Sequence, residues 1–397
     1  MTEKRIEDIV REEKARSRAA PRERKPLRRI AQLAGVLLLV LAMVAAAVWW
    51  DMGSERELKK LLNFDKTTTD EAVWRYDSAS GNRYALLGES TLLVASPSRV
   101  ALLSADGSAL YSSAADLDAP CIAVGGSTAA VYDAGGTALY LFDEVGLVRD
   151  MSSEVTGALY AVSLNARGDL AVTAGRSGYR SCVTVYDAAG KKVYEINSSN
   201  RYMADACVSS DGRRLAVCVL GEADGAFQST VQLYSLSSDS SDGSWSMSDS
   251  LVLQLSAPAG GFAAVADDRF TMVSDEGTLL GAYRYEYPYL RDFDLSGEDF
   301  FAFYLSQYRS GSAGKLVTLD ESGTLLASLD THGEVLDISA CGDYLCVLYA
   351  DSLTVYNAAL EEQWCLDDTV YARAALQRAD DSVVLLGSTE ARAVSAQ

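Results

Sequence analysis

From about Ala72 onward the sequence alternates apolar and polar residues at a period of two, and one unit keeps returning. Half of the unit is a strand, a tight turn and a strand. It reads A-V-S-L-N-A-R-G-D-L-A-V-T from Ala161, A-C-V-S-S-D-G-R-R-L-A-V-C from Ala206, D-F-D-L-S-G-E-D-F-F-A-F-Y from Asp292 and L-D-I-S-A-C-G-D-Y-L-C-V-L from Leu336. The other half reads L-Y-L-F-D-E-V-G-L-V from Leu139, V-T-V-Y-D-A-A-G-K-K-V from Val183, L-V-T-L-D-E-S-G-T-L-L from Leu316 and L-T-V-Y-N-A-A-L-E-E-Q-W from Leu353. Asp, Asn and Gly stand where tight turns need a side-chain acceptor or a positive φ. A chain built this way has few choices. Each unit is a small antiparallel sheet that cannot bury both faces alone, so the units must stack.

The first halves begin near Ala85, Cys121, Tyr160, Asp205, Gly261, Leu290, Val335 and Ala372, about 30–55 residues apart. That spacing suits a four-stranded blade and predicts an all-β fold, a β-propeller. Eight blades fit best and seven is the other count. The fifth unit is short and the eighth lacks its last strand. Residues 72–76 are expected to supply it, so that both ends of the repeat region share one blade. Residues 235–250, rich in Ser and Asp, are expected to form a solvated hairpin loop inside the fourth unit.

The D-x-x-G turns after V-Y-D and L-F-D resemble the repeats of WD40-like and quinoprotein-like propellers over about 320 residues. The sequence departs from both patterns. With His332 as the single histidine there is no repeated Gly-His pair, and only Trp364 of five tryptophans ends a blade strand where a docking tryptophan belongs. The whole layout also resembles a bacterial family of single-pass membrane proteins with an external propeller of unassigned function. That resemblance implies a fold and a location, and no chemistry.

Location is read from the other end of the chain. The run from Ile30 to Trp50 carries no charge and one amide, Gln32, and is long enough for a membrane-spanning helix. Trp49 and Trp50 suit the membrane interface. Residues 1–29 hold a net charge of +5, and the remainder holds −25 of the total of −20. Basic residues beside a span stay cytoplasmic, so the tail is expected inside and the large domain outside the cell membrane. Ala45-Ala46-Ala47 offers a small-residue cleavage pattern, but the basic region and apolar run exceed those of a signal peptide. The expected plan is a basic tail over 1–29, a transmembrane helix over 30–50, a stalk and linker over 51–70, and an extracytoplasmic propeller over 71–397. The acidity of the domain excludes nucleic acid as partner, since phosphate needs Lys and Arg.

Most chemistry is excluded by count. One histidine leaves no His-rich metal site, and no G-x-S-x-G nucleophile elbow occurs. No metal, cofactor or catalytic residue is predicted. The run G-S-A-G-K-L from Gly311 lacks the first glycine and the closing Ser/Thr of a phosphate loop. Asp239, Asp242 and Asp249 lack calcium-loop spacing. Asp267-Asp268, Asp367-Asp368 and Asp380-Asp381 fall in turns. The seven cysteines include two pairs flanking turns, Cys207 with Cys218 and Cys341 with Cys346, and read as small buried hydrophobes.

A propeller sorts its connections by face. Turns inside the half-units are short and stereotyped, and fall on one side. The connections on the other side are longer and chemically varied in units three to six. They supply Arg176, Tyr179, Arg180, Arg201, Tyr202, Phe227, Tyr287, Tyr289, Arg291, Tyr308 and Arg309. Tyr and Arg are the types enriched in binding hot spots. Tyr283 and Tyr285 are instead expected to pack on the next blade. The reading is a membrane-anchored binding scaffold or sensor for a protein, peptide or cell-envelope polymer. The alternatives are an external enzyme using carboxylates or tyrosines on that face, and a structural subunit of an envelope complex.

The topology is testable in intact cells. A cysteine placed at Ser240 should react with an impermeant maleimide, and one at Arg16 should not. Labelling of Arg16 alone would invert the orientation.

Overall fold

The computed structural model describes residues 73–396, except 89, 224, 239, 248, 249, 311, 312 and 332. The expected tail, membrane helix and stalk therefore lie outside the described residues, as do His332, Gly311, Asp239 and Asp249. Among the described residues no helix is long and apolar enough to cross a membrane.

The described chain forms eight four-stranded antiparallel sheets, each a simple meander. In chain order, blades 1 to 7 span 83–114, 120–150, 159–198, 202–247, 252–284, 289–331 and 335–367. Blade 8 takes three strands from 374–394 and its outer strand from Val73–Arg75. The register is Val73 with Arg392, Trp74 with Ala391 and Arg75 with Glu390. The expectation for residues 72–76 thus holds for the three that form the strand.

Burial explains the order of the strands. Second strands are continuous apolar runs, such as Thr91–Ser96 and Phe300–Ser306, buried at every position. Both of their faces meet a neighbouring blade, so no polar alternation is tolerated. Outer strands such as Leu325–Thr331 and Glu362–Asp367 alternate exposed and half-buried positions, because one face meets solvent. The core is correspondingly divided into eight clusters, each drawn from two adjacent blades. One joins Leu93 and Leu102 of blade 1 to Val131 and Phe142 of blade 2. Another joins Val384 and Leu386 of blade 8 to Leu92 and Leu103 of blade 1, with Trp74 between them.

Local turn chemistry sets the register. In N-A-R-G-D the Asn165 Oδ1 accepts the N–H groups of Arg167 and Asp169. Asp187 does the same for Ala189 and Lys191, and Asp320 for Ser322 and Thr324. The fourth residue needs a positive φ, which Gly168 and Gly190 adopt without steric cost at 85° and 73°. Leu360 takes that place in N-A-A-L-E at φ 57° and is buried.

Two expectations need correction. The fifth blade begins at Val252–Ser256, not near Gly261, which sits before its second strand. V-L-Q-L-S was hidden because it follows directly on the Ser/Asp-rich segment. That segment is also not all loop. Ser241–Met247 is the outer strand of blade 4, paired with Ser229–Tyr234. An outer strand exposes one face, so serine and aspartate are compatible with it. All seven cysteines are free. Cys182, Cys207, Cys218 and Cys346 are buried in the seams, as small hydrophobes.

Closure depends on Trp74. It is fully buried, and its indole N–H donates to the Ser104 carbonyl of blade 1 at 2.7 Å. Trp74→Ala should destabilise the propeller by about 3–5 kcal/mol, the usual cost of emptying a buried aromatic site. Chemical denaturation at constant m-value measures it. A loss below about 1 kcal/mol would show that the ring does not depend on this strand.

Candidate functional site

In each blade the connection between second and third strands, and the connection to the next blade, leave from the same edge. The eleven Tyr, Arg and Phe residues singled out from sequence all lie at or near that edge in blades 3 to 6. They do not form one cluster. The structure joins some and diverts others.

Blades 3 and 4 carry the tighter group. Arg180 opens the third strand of blade 3, and Tyr202 opens the inner strand of blade 4. The Arg180 guanidinium lies 5.2 Å from the centre of the Tyr202 ring and donates to its hydroxyl at 3.2 Å. Tyr179 is exposed beside Arg180, and Arg201 precedes Tyr202 with its backbone fixed by Ser198. Blade 4 then extends outward. Its second and third strands, Arg214–Ala223 and Ala226–Ser235, stay paired through Glu222 with Phe227 and Ala223 with Ala226. Tyr202 pairs with Leu220, so this hairpin continues beyond the start of the inner strand. Phe227 near its tip is 78% exposed. A solvated phenyl ring on a rigid ribbon has no folding role.

Arg176 is diverted. Its guanidinium pairs with Glu195 at 2.6 Å and donates to Asn197. The amide of Asn197, then Lys192 and Arg176, hold the Glu195 carboxyl down at about 2, so this charge pair is spent within blade 3. Blades 5 and 6 form a second, separate group. Arg291 is the extra residue of a β-bulge and donates to the Arg309 carbonyl at 3.0 Å. Tyr308 is exposed and Tyr289 half-buried. Tyr287 packs with Tyr283 and Tyr285 against the seam of blades 5 and 6, with Lys315 over its ring. The alternation that buries Tyr283 and Tyr285 runs one step further than expected.

The axis holds groups that the sequence reading passed over. Asp205, Asp292 and Asp337 each follow a bulge in an inner strand. A bulge re-aims the next side chain, here toward the following blade. Asp205 accepts the Leu255 N–H at 2.7 Å, Asp292 that of Ile338 at 3.1 Å, and Asp337 that of Ala375 at 2.8 Å. Asp294 accepts that of Ala340 at 2.8 Å. These carboxyls staple neighbouring inner strands. A cavity of about 690 Å³ opens beside them, lined by Asp294, Asp337, Asn82 and Arg373. Burial raises the Asp205 carboxyl to about 6. Burial raises Asp292 and Asp337 too, and the nearby Asp292 charge pushes Asp337 further up. The available signal was aspartate inside strand patterns, D-F-D and L-D-I, where the residue is normally depleted. No group of three metal-ligating side chains is found among the described residues.

The sign of the pH effect follows from those carboxyls. Their affinity for protons is higher folded than unfolded, so the folded state holds extra protons above the unfolded value near pH 4. Stability therefore falls as pH rises from there toward neutrality. Asp337→Asn keeps an acceptor for Ala375 and removes the charge that burial and Asp292 disfavour. It should raise the melting temperature at pH 8 and leave it nearly unchanged at pH 4.5. An equal shift at both values would mean that the Asp337 carboxyl is not a source of the pH sensitivity.

Solved structures of similar fold include the C-terminal WD40 domain of Sif2, at a TM-score of 0.58 and 13% identity, over 83% of this chain and 98% of that one. The computationally designed Ika8 protein gives 0.54 at 12% identity, over 81% and 98%. BamB from Moraxella catarrhalis gives 0.51 at 13% identity, over 81% and 98%. At such identities the likeness carries the fold alone. No curated protein matches the chain by sequence. A model described as a family of unknown function, DUF5711, matches residues 63–363.

Proposed function

Since the chain belongs to DUF5711, a family of unknown function, its role must be argued from its surface, and we propose a membrane-anchored extracytoplasmic binding scaffold. Its partner is a protein, peptide or cell-envelope polymer that presents carboxylate or other anionic groups. The segment 30–50 supplies the anchor, and the basic residues before it keep the N-terminal side in the cytoplasm. The observation that carries the proposal is the Arg180–Tyr202 pair beside the Phe227 hairpin. It combines a cation, a rigid aromatic and an exposed apolar tip on a fixed β scaffold, the composition of a binding hot spot. In a domain this acidic, a local group of arginines also steers anionic partners.

Binding fits these surfaces better than catalysis. The axial carboxyls that an enzyme would use are each engaged as acceptors from the next blade.

Crosslinking in intact cells should capture a partner, and Arg180→Glu, Arg201→Glu and Arg309→Glu should weaken its binding. A hot-spot arginine carries about 2 kcal/mol, so about 30-fold is expected at Arg180. The fold should be unaffected, because these side chains are exposed. Arg213→Glu, in a turn of the opposite edge, is the control. Equal losses on both edges would reduce the effect to overall charge.

A further inference from the structure

A second surface differs in sign. Residues 316–372 contain no Lys or Arg, and hold Asp320, Glu321, Asp330, Glu334, Asp337, Asp343, Asp351, Glu361, Glu362, Asp367 and Asp368. They build the outer half of blade 6 and all of blade 7. Blade 3, by contrast, carries Arg167, Arg176, Arg180, Lys191 and Lys192 against Asp169, Asp187 and Glu195. In a closed ring of eight, blades 3 and 7 stand opposite each other.

The acidic sector is not only a charged face. Between the outer strand of blade 6, Leu325–Thr331, and the third strand of blade 7, Ser352–Asn357, lies a groove of about 490 Å³. Leu329 and Leu360 give it apolar walls, and Tyr349 and Tyr356 line it with hydroxyls 3.4 Å apart. Asp330, Asp351 and Glu362 stand exposed around it. Lys315 reaches Asp330 only at 3.9 Å, and Asp351 and Glu362 have no basic partner among the described residues. Thr331, also in the lining, is 6% exposed, and its enclosed Oγ1 has no hydrogen-bond partner among the described residues. A buried hydroxyl without a partner costs folding free energy, and it waits for a donor or acceptor from outside.

We infer that this groove is a docking slot for an arginine side chain on an extended segment of a partner protein. The guanidinium fits the whole lining. Its planar face stacks on a tyrosine ring, its stem lies along the leucines, and its five N–H donors reach a carboxylate and the Thr331 hydroxyl together. The surrounding field draws the cation in, with no Lys or Arg in 57 residues of chain. The slot is separate from the Arg180–Tyr202 edge, so the two surfaces can fail independently.

The test uses the full chain and the peptide acetyl-Ala-Arg-Ala-Arg-Ala-amide, with its citrulline counterpart as the neutral isostere. The arginine peptide should bind saturably at one site at low salt, and the citrulline peptide at least tenfold more weakly. Asp351→Asn with Glu362→Gln should lower the affinity about tenfold. Asp343→Asn with Asp368→Asn, equal in charge but outside the lining, should change it less than twofold. Thr331→Val, close in shape, should weaken binding several-fold while the melting temperature holds or rises. Equal losses in both double variants, or unchanged affinity in Thr331→Val, would overturn the slot. Self-association in sedimentation that the arginine peptide reverses would overturn the peptide assignment and give the groove to blade 3 of a second copy.

Discussion

The structure depends on a stacking constraint. Each blade is a four-stranded sheet with two apolar faces, and no blade has a core of its own. Phe142 of blade 2 is buried by blade 1, and Phe270 of blade 5 by Phe301 and Phe303 of blade 6. A row of such sheets would always leave two greasy faces at its ends. Only a ring removes them. Trp74 is therefore the residue on which the closing seam leans, since it completes blade 8 and fills the seam with blade 1. The shortest strand carries the largest topological burden.

The axial aspartates answer a second consequence of the ring. Inner strands diverge little from the axis and run past one another without a common ladder, so some of their N–H groups face the neighbouring blade instead of a strand partner. A carboxyl reaching across satisfies such a group. Blades 4, 6 and 7 use aspartate for this, while Ser339 accepts the Gln377 N–H at 3.2 Å. Aspartate in so crowded a place must hold protons more tightly than in water. The same staples that fix blade against blade thus make the ring sensitive to pH.

Charge is distributed by sector as well as by edge. Blade 3 has an excess of bases, blade 7 has acids with a single base, Arg373, at its exit, and they stand on opposite sides of the axis. Rigid β architecture keeps such charges apart where a flexible chain would let them meet.

Much of this was legible in the residues themselves. Period-two alternation, Asn or Asp at the first turn position and Gly at the fourth dictate hairpins locally, so the all-β class, the eight units and a closing role for residues 72–76 could be read without coordinates. The uncharged apolar run over 30–50, too, is a property of composition alone. Where a strand begins is less local. Val252–Ser256 is a strand because blades 4 and 5 bury Val252 and Leu255, and no turn residue announces it. Tertiary structure alone decided which arginine is spent and which is free: Arg176 meets Glu195 across a sheet, while Arg180 meets a tyrosine of the next blade. It alone brought Asp292 to Asp337, and Thr331 to Tyr349 and Tyr356. Apart from Arg176 with Glu195, such pairings join residues of different blades. Sequence spacing fixes what lies within a blade, and only ring closure fixes what meets across its seams.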